Sequence, residues 1–225
     1  MDTLMLRRNM MMAGRDLQFL EYIVSDGDAY IDTGINAVTP MTMEVKLTPV
    51  FEANTVNYLG ASGGTESRMY FGQWGTSADQ AYRNYFYVAE NSCIMQGINK
   101  SSSIDGSTPF IFRLLFGTGA TTTCGISAKT ETETTYTSGT GTANPPSVSS
   151  NLTLYILARN VNGSPGAKAS AGTKIHSWKI YNDQSFSNLI FYGRPCKYNG
   201  EYGLWDDVTS TFFGNASQTG AFAGQ

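Results

Sequence analysis

Two stretches of the sequence place aromatic and arginine side chains at alternating positions. The first stretch runs from Arg68 to Trp74 and the second from Tyr82 to Val88. Aromatic faces bind the apolar side of a sugar ring, and polar groups hold its hydroxyls. We therefore predict a glycan-binding platform, although packing within a sheet or against another subunit is an open alternative. Alternate residues of a strand share a face, and the predicted binding residues are Arg68, Tyr70, Trp74, Arg83, Tyr85 and Tyr87.

Five aspartates lie in or beside turns and could supply oxygen ligands to a cation. Calcium takes about 6–8 oxygens from carboxylates, carbonyls and water. The candidates would form one site only if the terminal strands meet, and no calcium-loop consensus is present. The alternative is that these carboxylates bond their own turn backbone. No cofactor is required by the sequence, and the candidate calcium ligands are Asp26, Asp28, Asp32, Asp206 and Asp207.

No combination of residues predicts catalysis. The chain has one histidine, His176, and strand alternation predicts that it shares a buried face with Trp178 and Ile180. A serine triad needs such a histidine between a carboxylate and a serine, and the surrounding sequence offers neither in a recognisable pattern. Glycoside hydrolysis needs two acids that face each other across a cleft, and no predicted strand carries two acids at alternate positions. The sequence therefore favours a protein that is not an enzyme.

The composition argues against several kinds of partner. The chain of 225 residues has 15% charged residues and a net charge of -3. Its Lys and Arg residues are scattered, whereas nucleic-acid binders cluster them, and no window approaches the roughly 20 apolar residues of a membrane span. The three cysteines, Cys93, Cys124 and Cys196, cannot all pair within one chain, which favours buried thiols in a protein made in a reducing compartment.

The N-terminal segment has basic residues and methionines but lacks the apolar core of a secretory signal. Arg7 and Arg8 are followed by a short run of three Met, whereas a signal needs about 7–15 apolar residues. A surface-like composition without an export signal is explained by assembly inside a cell and release by lysis. Removal of a signal from the sequence is the alternative.

Alternation of apolar and polar residues predicts a protein built of β-strands. The alternation is clearest in Met41–Thr48, Phe110–Phe116 and Asn151–Ala158. Asp-Gly and Asn-Gly pairs between strands suit tight hairpin turns. Residues 163–172 are expected to form a flexible loop, and the only helix candidate is the first dozen residues. Many short strands in a chain of this length favour one sandwich or barrel.

Three segments of the chain stand out when they are taken in order: Leu20–Ile23 with Tyr30–Gly34, Leu157–Asn160 with Lys174–Tyr181, and Arg194–Cys196 with Gly203–Val208 and Phe212–Asn215. Together they resemble the concanavalin A-like and laminin-G-like jelly-roll proteins common in tailed phages, prophages and gut bacteria. The resemblance implies an all-β, two-sheet antiparallel jelly-roll sandwich whose terminal strands pair in one sheet. Calcium is often bound at a loop rim in laminin-G-like domains. We predict an N-terminal extension over residues 1–16, a candidate assembly anchor, and a jelly-roll domain over residues 17–225.

The resemblance and the composition lead to three functional hypotheses. The first is a non-catalytic structural and adhesion protein of a tailed-phage or prophage virion, such as a fibre, decoration or appendage protein that binds host-surface or environmental glycans. It would be made in the host cytoplasm and located in the virion, with other virion proteins and its own copies, most simply as a trimer, as partners. The second is a stand-alone lectin-like module of a gut bacterium, secreted or on the cell surface. The third is a glycoside hydrolase.

Overall fold

The computed structural model describes residues 16–50, 56–63, 68–74, 83–88, 106–117, 124–139 and 148–225, and only the backbone at residues 74 and 83–88. The chain forms strands and no helix within these ranges, so they contain no helix that could cross a membrane. The predicted all-β class is confirmed. The strands are β1 (Leu17–Phe19), β2 (Ile23–Ser25), β3 (Ile31–Val38), β4 (Met41–Thr48), β5 (Val56–Ser62), β6 (Arg68–Trp74), β7 (Arg83–Val88), β8 (Phe110–Phe116), β9 (Gly125–Thr130), β10 (Thr137–Ser138), β11 (Ser149–Ile156), β12 (Ala158–Val161), β13 (Ser164–Lys168), β14 (Lys174–Tyr181), β15 (Leu189–Tyr198), β16 (Glu201–Asp206), β17 (Thr211–Phe213) and β18 (Phe222–Gly224).

The strands form two sheets. In the described ranges, the large sheet has eleven strands, in the central order β10-β9-β8-β4-β14-β15-β16-β17, with β1 paired to β15 and β2 paired to both β14 and β18. The small sheet has seven strands, in the order β13-β12-β5-β11-β3, with β6 paired to β5 and β7 paired to β6. The long pairings of β4 with β8 and β14 are antiparallel, whereas β12 runs parallel to β5. This arrangement is the predicted two-sheet sandwich.

The hydrophobic core lies between the two sheets. Met43 and Val45 of β4 are completely buried, as alternation predicted, and the apolar face of β8 is buried with them. Phe71 of β6 meets Phe112 of β8 with 5.0 Å between ring centroids. Because these two rings come from different sheets, their contact joins the two layers. Trp178 of β14 is also completely buried in this core.

The ends of the domain meet, as the family resemblance implied. Strand β18 pairs with β2 in an antiparallel register that places Phe222 opposite Ser25 and Gly224 opposite Ile23. The described sandwich begins with β1 at Leu17. Residues 1–15 lie outside the described part of the chain, so the predicted N-terminal extension and its role as an anchor stay predictions.

The predicted position of His176 is wrong. Strand β14 contains an irregularity between Ile175 and Ser177, because an extra residue there has no partner on β4. Such a bulge changes the phase of alternation, and Ile175 and Trp178 both point into the core although they are three residues apart. His176 is therefore half-buried away from that face, with its Nε2 2.9 Å from Thr48 Oγ1.

The expected flexible loop at residues 163–172 is also partly wrong. Strand β13 occupies half of it and pairs with β12 through a hairpin at Asn162 and Gly163, both of which have positive φ. The Asn-Gly pair suits such a turn, so the local signal was present in the sequence.

The prediction of buried thiols is confirmed for the two cysteines in the described ranges. Cys124 and Cys196 are free and buried, and Cys93 lies outside the described residues.

Candidate functional site

A charged cluster lies on the outer face of the large sheet, opposite the core. Glu44 is the middle residue of this cluster, between the completely buried Met43 and Val45 of β4. The register places Glu44 directly opposite Arg113 of β8 and Lys179 of β14. Directly paired residues of neighbouring strands share a face and contact each other. Strand pairing thus brings one carboxylate between two cations.

The three charged side chains are hydrogen-bonded. Arg113 donates from both Nε and Nη2 to Glu44 Oε2, each at 3.0 Å. Lys179 Nζ donates to Glu44 Oε1 at 2.9 Å. The side chains of Arg113, Lys179 and Glu44 are 46%, 28% and 23% exposed. The cluster is therefore held in place by the protein and remains open to solvent.

The ionisation of the cluster follows from these contacts. Partial burial acts to raise the pKa of Glu44, but hydrogen bonds from Lys179 and Arg113 outweigh it, and the pKa lies below its ordinary value. Burial acts to lower the pKa of Lys179, but its bond to Glu44 raises it above the ordinary value. Glu44 and Lys179 consequently stay charged at neutral pH.

Aromatic rings lie at both ends of the charged cluster. At one end the Arg113 guanidinium is 4.7 Å from the ring centre of Tyr136. At the other end the Lys179 ammonium is 5.3 Å from the ring centre of Tyr192, its direct partner on β15. Both distances are within the range of cation–π attraction. We call these five neighbouring side chains the outer row. In spatial order they are Tyr136, Arg113, Glu44, Lys179 and Tyr192.

A third ring reaches the outer row from the loop between β14 and β15. The ring centre of Phe186 lies 5.5 Å from the Arg113 guanidinium carbon. The same ring meets the Tyr181 ring edge-on, with 5.6 Å between the ring centres. The backbone φ of Phe186 is 57°, which is uncommon for a residue other than glycine. The Asp183 carboxylate fixes the loop by accepting bonds from the backbone N–H groups of Ser185, Ser187 and Asn188.

The outer row offers the set of contacts that a sugar requires. Arg and Lys only donate hydrogen bonds and a carboxylate only accepts them, whereas a hydroxyl does both. A sugar hydroxyl can accept from Lys179 while it donates to Glu44. The half-exposed rings of Tyr136 and Tyr192 offer apolar surface to the faces of sugar rings. This face is the candidate site.

The predicted glycan residues lie elsewhere, on β6 and β7 of the small sheet. Arg68 is half-buried, and Tyr70 is only 7% exposed, with the guanidinium carbon of Arg159 5.1 Å from its ring centre. The side chains of the other four predicted residues lie outside the described part. Their backbones are in register, with Tyr87 opposite Tyr70, Tyr85 opposite Gly72, and Arg83 opposite Trp74. Glycan binding at this face stays a prediction.

The first three predicted calcium ligands are bonded within the protein. Asp26 accepts backbone N–H bonds from Asp28 and Ala29 on Oδ1 and from Ala221 on Oδ2. Asp28 forms an ion pair with Lys168 at 2.6 Å. Asp32 accepts from the N–H of Gly34 at 3.0 Å. Asp26 and Asp32 thus bond their own turns, whereas Asp28 is held by a distant lysine.

The other two predicted calcium ligands close the turn after β16. The buried Asp206 accepts from the backbone of Tyr192, Val208 and Thr209 and from the Thr209 hydroxyl. Asp207 pairs with Arg194 at 3.3 Å. The described residues contain no group of three or more His, Cys, Asp or Glu placed to hold a metal ion. Calcium binding therefore stays a prediction without a ligand set in that part of the chain.

Sequence reasoning missed the outer row, although its residues carried a signal. Glu44, Arg113 and Lys179 each stand at an outward position of a recognised strand, beside apolar residues on both sides. Isolated charges at such positions are ordinary on a wet sheet face. The signal that could have predicted their contact was the presence of opposite charges at the centres of three strands.

Comparison with known proteins bears on the fold. No protein-family model and no curated protein matches the chain. The mouse laminin α1 chain, domains LG4-5, is similar in structure, with a TM-score of 0.53 and 14% sequence identity over 76% of this chain. The match spans 44% of that laminin chain. At this identity the likeness is one of fold: the chain forms a two-sheet β-sandwich similar to that of laminin G domains.

Proposed function

We propose that the protein is a non-catalytic adhesion protein that binds glycans through the outer row. The observation that carries this proposal is the Glu44 carboxylate held between Arg113 and Lys179, with an aromatic ring beyond each cation. Fixed donors and an acceptor in an exposed position lose little freedom when a ligand binds. The laminin-G-like fold is compatible with an adhesion module but does not by itself define a ligand.

The chemistry of the outer row favours binding over bond cleavage. Glycoside hydrolysis uses a pair of carboxyl groups, one of which has a raised pKa so that it can act as an acid. The row contains a single carboxylate, Glu44, whose pKa is lowered by two cations despite partial burial. An acceptor that stays ionised at neutral pH suits recognition of hydroxyl groups. This is the support for a non-enzymatic role.

For the biological setting, we propose a tailed-phage or prophage virion in which the protein is a fibre, decoration or appendage component. The support is the ordered set of three sequence segments that resembles such proteins and the low proportion of charged residues. Self-association, most simply into a trimer, would multiply weak glycan contacts. A monomeric lectin-like module of a gut bacterium would use the same row.

A glycan array probed with the full chain tests the binding proposal. We expect saturable binding to a subset of glycans and its loss in Lys179→Met. A matched control is Lys197→Met, because Lys197 lies over the Tyr202 ring at the same 5.3 Å but outside the row. Silence across the array, or equal loss in both variants, would contradict the proposal. Light scattering on the same sample measures the oligomeric state and distinguishes the two biological settings. A trimer supports the virion protein, and a monomer supports the stand-alone module.

A further inference from the structure

We infer that the outer row binds the interior of a linear polysaccharide that crosses the strands, rather than one terminal sugar. This inference rests on the glycan-binding function proposed above and specifies the shape of the ligand. It follows from the length of the row, from the order of its chemical groups, and from its place on the sheet.

The length of the row is set by strand register. Four directly paired positions cross four consecutive strands of the large sheet, from Arg113 on β8 through Glu44 and Lys179 to Tyr192 on β15, and the Tyr136 ring centre lies 4.7 Å from the Arg113 guanidinium carbon. Neighbouring strands lie about 4.8 Å apart, so the three spacings from Arg113 to Tyr192 extend over about 14 Å. One sugar ring covers only a fraction of that distance. A ligand that touches both ends must be extended and must run perpendicular to the strands.

The row alternates charged and aromatic groups, and a further cation, Lys129, lies 5.1 Å from the ring centre of Tyr136 at one end. Glu44 is at the centre, a cation lies on each side of it, and an aromatic ring lies beyond each cation. A linear saccharide presents ring faces and hydroxyls repeatedly along its length. Its outer rings can stack on Tyr136 and Tyr192, while central hydroxyls bridge Glu44 and the cations. The row thus fits several consecutive sugar units.

The place of the row favours a saccharide over a protein partner. Peptides commonly add to a sheet at an unpaired edge through backbone hydrogen bonds. Strands β8, β4 and β14 are each paired on both sides, so their backbones are already bonded. The centre of a protein interface is depleted of charge, whereas the centre of this row consists of three charged residues.

A chain-length series tests the inference. Di-, tetra- and hexasaccharides of the polysaccharide selected by the array would be titrated calorimetrically against the full chain. We expect affinity to rise at least tenfold from the disaccharide to the tetrasaccharide. Tyr136→Leu and Tyr192→Leu should each remove most of that gain. Tyr202→Leu is the matched control, because Tyr202 has the same lysine contact outside the row.

The outcomes separate the two proposals. If a disaccharide binds as tightly as a hexasaccharide, or if the end variants leave the gain intact, the row is a single-sugar site and the inference is overturned while glycan binding stands. If no saccharide binds, or if the row variants disrupt only binding to a protein receptor, both proposals fail. A gain with length that the two end variants remove and Tyr202→Leu keeps supports the inference.

Discussion

Replacing Glu44 by Gln is the most informative change in the outer row. The substitution preserves the size of the side chain and one acceptor oxygen but removes the negative charge. Arg113 and Lys179 then lose the carboxylate to which they donate at 3.0 Å and 2.9 Å. A ligand hydroxyl that donated to the carboxylate would also lose a charged acceptor.

The substitution should lower both the stability of the fold and the affinity for the ligand. Ion pairs between partly exposed side chains contribute about 0–1 kcal/mol each, and those of Glu44 involve side chains that are 23–46% exposed. Two pairs together give at most about 2 kcal/mol. A hydrogen bond to a charged group contributes about 1.5–3 kcal/mol, which corresponds to a roughly 10- to 150-fold loss of affinity.

The pH dependence of this contribution has a defined sign. The pKa of Glu44 is lowered in the folded protein, so its stabilising contribution is complete above the ordinary value of 4.5 and decreases as the pH falls through the folded value. At neutral pH the Glu44 carboxyl is therefore fully ionised.

Calorimetric titration with the array-selected glycan, together with thermal unfolding, measures both effects. Glu131→Gln is the control, because Glu131 forms an ion pair with Lys46 and lies outside the row. We expect Glu44→Gln to lose binding while its unfolding temperature changes by a few degrees, and Glu131→Gln to bind normally. Wild-type affinity in Glu44→Gln would refute the role of the carboxylate, and equal loss in both variants would refute the location of the site.

Two further predictions concern the elements that support this face. Asp206→Ala should lower the free energy of unfolding by about 1–3 kcal/mol in urea titrations, because three backbone N–H groups lose the buried carboxylate that accepts their hydrogen bonds; Thr209→Val, which removes only the hydroxyl hydrogen bond to this carboxylate, should cost less. Burial and neighbouring charges lower the pKa of His176 below 6.5, so its neutral form stabilises the fold above pH 6.5 and that contribution decreases as the pH falls below it. His176 is the only histidine, so His176→Gln should reduce the dependence of the unfolding temperature on pH between pH 7 and 5.5. An unchanged pH dependence would contradict this. The charged groups that act on His176 are Lys46, Lys174, Glu21 and Glu131.

The parts of the fold that could be predicted are those set by local alternation. Strands β4 and β8 were predicted with their observed bounds and buried faces. Alternation of apolar and polar residues determines which face of a strand is buried when one face is covered. Prediction failed where one residue changed the phase, as at the bulge beside His176. A bulge is decided by pairing with a distant strand, so the residues on either side do not reveal it.

The burial of Tyr70 illustrates a second limit of the sequence. Alternation places Tyr70 on the outer face of β6, where exposure was expected. In the structure, Arg159 of β12 covers its ring, and β12 reaches this position because the chain reverses at Leu157, which has a φ of 65°. Nothing in the residues around Tyr70 encodes that reversal. The exposure of an outward residue therefore depends on segments far away in the chain.

The outer row depends on the same kind of long-range information, and this explains how it was missed. Glu44 is 69 residues from Arg113 and 135 residues from Lys179 in the sequence. Each residue alone is an ordinary charge on a wet strand face, and only the register of β8, β4 and β14 makes them neighbours. The core residues between them fix that register, because a slip of one residue would expose Met43 and Val45 and bury the charges. The packing of the core thus determines which charges meet on the opposite face, and the candidate site is a consequence of how the sandwich folds.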